Sequence, residues 1–234
     1  MIDLSLAFSS ALNLLLNFNI DYIEIVLLSL QISISAVIIS SFISFPFAVF
    51  LSVRNFPGHG LVIVFINSLM GLPPVVVGLF LYLLLSSQGP LAAYDLLYSP
   101  MAMLIAQIII ITPIITALSK QSIDGYFEEY KDYLESIRAS GFNILRTLLW
   151  EARYSLMVNG LAGLGRALSE VGAVIIVGGN IAHITRVMTT SIVLETSRGE
   201  LALALGLGIT LILIAIILNG ILYLIRKTEE GRYV

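Results

Sequence analysis

Cysteine is absent from this chain of 234 residues, and histidine occurs only twice, as His59 and His183. The absence of cysteine excludes disulfides and thiolate metal sites, and two histidines argue against a catalytic metal centre. Charged residues make up 12% of the chain, whereas soluble domains usually contain about a quarter. No basic face indicates nucleic-acid binding. We therefore expect no metal site, no cofactor and no nucleic-acid partner for this chain.

Signatures of catalysis are missing as well. The sequence contains no His-Glu-x-x-His pair, which a metal-dependent intramembrane enzyme would need, and no Gly-x-x-x-x-Gly-Lys-Ser/Thr phosphate loop. Its first residues, MIDLSLAF, lack the basic start of a signal peptide. The sequence favours a non-catalytic protein, so a separate subunit would have to supply energy for any uphill transport.

Apolar residues dominate what is present, at 58% of the chain with a mean hydropathy of +1.00. A membrane-spanning helix needs roughly 20 apolar residues. The pattern predicts an all-α integral membrane bundle of five spans, at about 23–53, 61–87, 101–119, 154–178 and 200–225. A further segment, 1–20, predicts an interfacial helix or a short sixth span over 3–19.

Lysine and arginine between the spans indicate the orientation, because short cytoplasmic loops are rich in these residues. Arg54 follows the first span, the block 120–153 carries several basic residues, and Arg226 follows the last span, whereas 88–100 has none. Five spans with the N-terminus outside place these three basic segments inside, with Arg186 and Arg198 as an exception in the outer loop 179–199. The membrane domain thus covers 21–226, and a cytoplasmic C-terminal tail covers 227–234.

The charged block 120–153 is too polar to cross a bilayer and is rich in helix-forming residues. We interpret it as two short helices hinged at Gly141, because glycine relieves the steric cost of a tight turn. Its amphipathic surface would suit a groove on a partner, although an ordinary solvated loop is an equal alternative. Tyr133 and Trp150 are expected to anchor at the membrane interface.

The segment from Glu135 to Gly141, ESIRASG, resembles the EAA loop of ABC importer permeases, with Ser136 and Ile137 where two alanines are usual. Two further segments, GLPPVVVG at 71–78 and RALSEVGA at 166–173, resemble the molybdate, tungstate and sulfate branch of that family. WEARY at 150–154 and TTSIVLET at 189–196 look most like its tungstate permeases. The resemblance covers roughly residues 25–225.

That resemblance implies the type I importer fold, with two copies of the chain flanking a path across the membrane of a prokaryotic cell. Two ATP-binding subunits would use ATP and magnesium, and an extracellular or periplasmic binding protein would deliver a tetrahedral oxyanion. We expect tungstate, with molybdate or sulfate as alternatives; a channel or membrane scaffold is a more distant alternative. The resemblance assigns ATPase coupling to Glu135, Ser136, Ala139 and Gly141.

Residues of the path or gate are sought where polar groups or helix breakers fall within spans. Arg166 and Glu170 are four residues apart and should pair on one helical face, as a gate or as a structural ion pair. Pro73 and Pro74 should leave backbone carbonyls without helical donors, at a gate or at a packing kink. Other candidates, which packing or a plain polar loop would also explain, are Gly172, Asn180, Thr189 and Thr190.

Overall fold

The structure, a computed structural model, describes residues 20–230, with side chains up to Ile225. The expected helix at 3–19 and the last four residues of the tail lie outside this range. Within it the chain forms nine α-helices and one short 3₁₀ turn, Ala92–Tyr94. The helices are α1 Ile20–Val53, α2 His59–Met70, α3 Pro74–Leu85, α4 Pro100–Ser136, α5 Gly141–Glu151, α6 Arg153–Leu168, α7 Gly172–Gly178, α8 Met188–Arg198 and α9 Leu201–Glu230.

Three of these helices, α1, α4 and α9, are long and apolar enough to cross a membrane. Two further pairs, α2 with α3 and α6 with α7, meet the same test if each bent pair is one span. The described residues therefore provide up to five spans, in agreement with the sequence. Pro46 and Pro113 lie inside α1 and α4 without ending them, whereas Pro74 begins α3, where the missing N–H costs nothing.

The third span differs from its predicted boundaries. We expected it to end near 119, but α4 continues through the charged segment to Ser136. No proline occurs between 114 and 136, and Lys120 pairs with Asp124 one turn later at 2.6 Å, so nothing in the sequence stops the helix. The first predicted short helix of the 120–153 block is therefore the end of α4.

The chain divides into two compact units. The first contains residues 20–36, Pro73–Gln107 and Gly165–Leu218. In this unit α3 packs against α7 at Gly78, where a Cβ would lie 2.8 Å from the Cα of Ala173. Buried hydroxyls join other helices, because Ser29 Oγ accepts from the backbone N–H of Met188 at 2.7 Å and Tyr22 donates to the Gly206 carbonyl at 2.9 Å.

The second unit contains Val37–Leu72, Ile108–Leu164 and the described residues from Asn219 onward. Its core joins α1, α4, α5 and α6 through fully or almost fully buried residues, which are Ala48, Val49, Ile123, Leu148, Ala152 and Leu156. Two polar contacts join helices of this unit: Ser44 donates to the carbonyl of Thr112 at 3.1 Å, and Asn159 donates to Ser122 at 3.0 Å. This core holds α5 in place through Leu148.

Candidate functional site

The break between α6 and α7 is organised by one buried carboxylate, that of Glu170. The Nη1 of Arg166 lies 2.8 Å from its Oε2, and the side chains are 35% and 4% exposed, respectively. The pair predicted from the sequence thus forms. It does not lie along one helix, however, because α6 ends at Leu168 and Glu170 stands in the break.

Glu170 also fixes the two elements that follow it. Its Oε1 accepts from the backbone N–H of Ala173 at 3.2 Å, in the first turn of α7. Its main-chain carbonyl accepts from the hydroxyl of Thr189 at 2.8 Å, at the start of α8. The ion pair, the break and Thr189 therefore form one hydrogen-bonded group. Through these contacts Glu170 connects α6 to the first turn of α7 and to the start of α8.

The Pro73-Pro74 break lies against the same group. A Cβ added to Gly172 would lie 2.6 Å from Cγ2 of Val75, the residue after Pro74, and 3.7 Å from Oε1 of Glu170. Only glycine allows this approach. Six of the eight candidate path residues are thus neighbours in space or in sequence: Pro73, Pro74, Arg166, Glu170, Gly172 and Thr189.

The carbonyls at the proline break are better satisfied than we expected. Pro73 accepts from the N–H of Val76 at 3.0 Å, and the carbonyls of Ser68 and Leu69 accept from Gly71 and Leu72 at 3.2 Å. The carbonyl of Leu69 lacks its helical donor, because the residue four places later is Pro73, and the N–H of Leu72 bonds it instead. Tight turns replace the lost helical bonds, as they do at other helix ends.

A second feature is an open groove of about 820 Å³ formed by the end of α4 and by α5. Large apolar side chains that are more than half exposed line it: Tyr133, Ile137, Phe142 and Trp150. The aromatic rings predicted to anchor at a membrane interface, Tyr133 and Trp150, therefore face this groove. An apolar concavity rimmed by polar residues such as Arg146 and Glu151 is typical of a protein-binding surface.

The turn between α4 and α5 differs from the predicted hinge. Its left-handed residue is Arg138, with φ 50°, whereas Gly141 is already the first residue of α5. A Cβ on Gly141 would meet nothing within 4 Å, so glycine is not needed there for the fold. Ser140 begins the helix, since its hydroxyl accepts from the N–H of Asn143 at 3.4 Å.

The four predicted coupling residues cluster at this turn. Ala139 lines the groove, and Glu135, Ser136 and Gly141 are exposed beside it without lining it. The hydroxyl of Ser136 donates to the carbonyl of Tyr133 at 2.7 Å and so helps to end α4. The turn and the groove together form one exposed surface from Tyr133 to Glu151.

Comparison with known proteins identifies the family of the chain. No protein-family model matches the chain. A tungstate uptake system permease protein, TupB, of Peptoclostridium acidaminophilum is 34% identical over 94% of this chain and 96% of its own. A probable anion ABC transporter permease protein of Haloferax volcanii is 33% identical over 92% of this chain and 95% of its own. TupB of Campylobacter jejuni is 37% identical over 70% of this chain and 68% of its own.

The chain belongs to the family of ABC transporter permeases. It is accordingly a multi-pass membrane protein, with bent spans of the kind that line paths through a bilayer. The relatives aligned over nearly the whole chain cover both the break at Glu170 and the groove, so both lie in the part shared with known permeases.

Asn180 and Thr190 form a separate group in the permease, at the loop that joins α7 to α8. Asn180, with φ 50°, donates through Nδ2 to the carbonyl of Thr190 at 3.3 Å, and the hydroxyl of Thr190 donates to Oδ1 of Asn180 at 2.9 Å. Thr189 and Thr190 are both buried. Because their hydroxyl hydrogens are directed to protein acceptors, these two residues brace the loop and offer no donor to an oxyanion in this conformation.

A polar residue of α4 that the sequence analysis missed, Gln107, also reaches the break. Its Nε2 donates to the carbonyl of Ala167 at 3.3 Å, and its side chain is 5% exposed. Its Oε1 has no hydrogen-bond partner among the described residues. A lone glutamine in the apolar stretch 101–119 was the available signal, because a buried amide in a span requires partners.

The loop that joins α7 to α8 also contacts α1, through His183 and Glu24. The His183 Nδ1 and the Glu24 Oε2 are 2.7 Å apart, and both side chains are partly exposed. Hydrogen bonding to the Glu24 carboxylate raises the pKa of His183 above its ordinary value, since the carboxylate stabilises the protonated ring.

Proposed function

We propose that this permease moves tungstate into a prokaryotic cell as a subunit of an ABC importer. The observation that carries the proposal is the pair of TupB relatives, one of which matches nearly the whole chain. The chain would supply the path across the cell membrane and receive the movement produced by ATP hydrolysis. ATP and magnesium would be used by the partner subunits, and the permease itself would supply no catalytic group.

The anion is tested by uptake into vesicles that hold the complete importer and its binding protein. Tungstate uptake is measured by elemental analysis with an excess of molybdate or of sulfate outside. We expect tungstate to be taken up and sulfate to compete weakly. Strong suppression of tungstate uptake by sulfate would contradict the preference for tungstate, and strong suppression by molybdate would widen the substrate to both metal oxyanions.

The partners that we propose are a second copy of the permease, two ATP-binding subunits and an oxyanion-binding protein outside the cell. The groove is consistent with a docking site for the ATP-binding subunit, because Phe142 and Trp150 are 71% and 64% exposed in an apolar concavity with Arg146 and Glu151 at its rim. Aromatic residues in a concave site are typical anchors of protein interfaces. The surface from Tyr133 to Glu151, with Glu135, Ser136, Ala139 and Gly141 at its turn, would receive one ATPase domain.

Replacement of Phe142 or Trp150 by serine tests this docking surface. Because both side chains are exposed, we expect unchanged thermal stability of the permease and at least a tenfold loss of ATPase association in detergent. Tyr94→Ser, at a residue 69% exposed in the 3₁₀ turn, is the matched control. Gly141→Trp adds bulk where nothing lies within 4 Å, so it should also block docking without unfolding the chain. Undiminished co-purification of all three groove variants would refute the docking surface.

Orientation follows from the basic segments, which we place in the cytoplasm together with the C-terminus. Since the chain has no cysteine, a single cysteine reports its own side of the membrane. A thiol reagent that cannot cross the bilayer should label Ser87→Cys in intact cells and Lys131→Cys only after the membrane is opened. The reverse pattern would invert the topology.

A further inference from the structure

The loop between α7 and α8 brings one histidine to two carboxylates that are distant in the sequence. Asp21 and Glu24 lie one turn apart at the start of α1, and His183 lies 159 residues after Glu24. One ligand atom from each residue lies within 4.8 Å of the others. The sequence did not reveal this group, because nothing local links His183 to the first turn of α1.

The set of donor atoms matches the preference of zinc. Zinc binds imidazole nitrogen and carboxylate oxygen at about 2.0–2.2 Å, often with three protein ligands and an open position for water. Tetrahedral ligands at that distance are about 3.4 Å apart, so the His183 nitrogen and the Glu24 oxygen, now 2.7 Å apart, need to separate by less than one ångström. A histidine nitrogen beside two carboxylates favours a transition metal over calcium or magnesium, which prefer oxygen ligands alone.

The site has space for an ion and access to it. A cavity of about 70 Å³ lies beside the group and is lined by all three ligands. The His183 and Glu24 side chains are 65% and 42% exposed, so an ion and its water ligands can reach them from solution. The loop is also held at both ends, by Thr185 donating to Gly178 and by the Asn180–Thr190 pair, which presents His183 in a fixed position.

We propose that Asp21, Glu24 and His183 bind a zinc ion that ties the loop at 179–187 to the first turn of α1. The ion replaces the proton shared by His183 and Glu24 and reinforces a connection that their hydrogen bond already makes in the free protein. Arg186 lines the same cavity, and its positive charge opposes the ion. The affinity for zinc is therefore moderate. Loss of a ligand should lower this affinity, whereas loss of the Arg186 charge should raise it.

The test uses the purified importer complex without a polyhistidine tag, titrated with zinc chloride by calorimetry. His183→Gln and Asp21→Asn should each weaken zinc binding at this site by at least tenfold. His59→Gln is the matched control. His59, the only other histidine of the chain, hydrogen-bonds the Leu51 carbonyl, so its replacement should leave zinc binding unchanged. Arg186→Gln should tighten binding several-fold, a result that a merely structural role of the loop would not produce.

A second measurement locates the ion. Zinc should slow amide hydrogen exchange in residues 181–186 of the wild-type permease and leave it unchanged in His183→Gln. Cobalt chloride should give the absorption of a site with nitrogen and oxygen ligands in wild type only. Equal zinc binding by wild type and His183→Gln, or no zinc binding by wild type, overturns the proposal and leaves the Glu24–His183 contact as a simple ion pair.

Discussion

Arg166 and Glu170 share an ion pair whose two halves differ in exposure, since the guanidinium is 35% exposed and the carboxylate is 4% exposed. Loss of Arg166 leaves a buried carboxylate without its counter-charge. Loss of the Glu170 charge leaves a cation that still reaches solvent. The cost of breaking the pair therefore depends on which partner is removed.

Arg166→Met should lower the free energy of unfolding by about 3 kcal/mol, because the remaining buried charge is unpaired. Glu170→Gln should cost about 1 kcal/mol, since its amide oxygen can still accept from Ala173. Thermal unfolding of both variants in one detergent measures the difference. Equal losses would show that the pair is solvated and that the buried carboxylate does not organise the break.

Gly78→Ala should destabilise the permease by about 1–3 kcal/mol through overpacking. The new Cβ would meet the Ala173 Cα at 2.8 Å, and a backbone atom cannot rotate away as a side chain can. Gly60→Ala, where nothing lies within 4 Å, is the control and should leave the melting temperature unchanged or slightly raised. If both variants melt alike, α3 and α7 are not in close contact.

Arg138→Gly should stabilise the turn before α5 by up to about 1 kcal/mol, because φ 50° is strained for arginine and free for glycine. Arg146→Gly, at an exposed position inside α5, should lower the free energy of unfolding by about 1 kcal/mol, because glycine is unfavourable inside a helix. Chemical denaturation measures both. A loss of stability in Arg138→Gly would mean that the Arg138 side chain contributes more than its backbone costs.

Thr190→Val should destabilise the loop at 179–187, since the hydroxyl both donates to Asn180 and accepts from the N–H of Val187. Buried groups left without partners cost about 1–3 kcal/mol. Amide exchange should rise across the loop, and Thr190→Ser should restore protection because it keeps the hydroxyl. Unchanged amide exchange in Thr190→Val would show that shape, not hydrogen bonding, holds the loop.

Local chemistry explains which parts of the structure could be predicted. Hydropathy gave the membrane bundle and its spans, and the spacing of Arg166 and Glu170 gave their pairing, because each depends on residues close in sequence. The position of the turn before α5 could not be derived in this way. Gly141 was the obvious hinge, yet the left-handed residue is Arg138, because the N–H groups of Arg138 and Ala139 close the end of α4 on the carbonyls of Glu135 and Leu134.

Long-range neighbours were also invisible in the sequence. Val75 against Gly172 and Gln107 against Ala167 are separated by 97 and 60 residues, and only the folded chain brings them together. Coupling by the block 120–153 stays a prediction. Its exposed apolar groove could not be predicted, because the exposure of Phe142 and Trp150 depends on which face of α5 Leu148 buries.

The groove of exposed aromatic residues has a consequence for the life of the protein in the cell. A permease copy in which this groove is uncovered displays Tyr133, Phe142 and Trp150 to water, and such a patch invites aggregation. Chaperones and proteases recognise surfaces of this kind. On the docking proposed above, the cell is expected to balance synthesis of the permease and the ATP-binding subunit, because every surplus permease copy is a substrate for quality control.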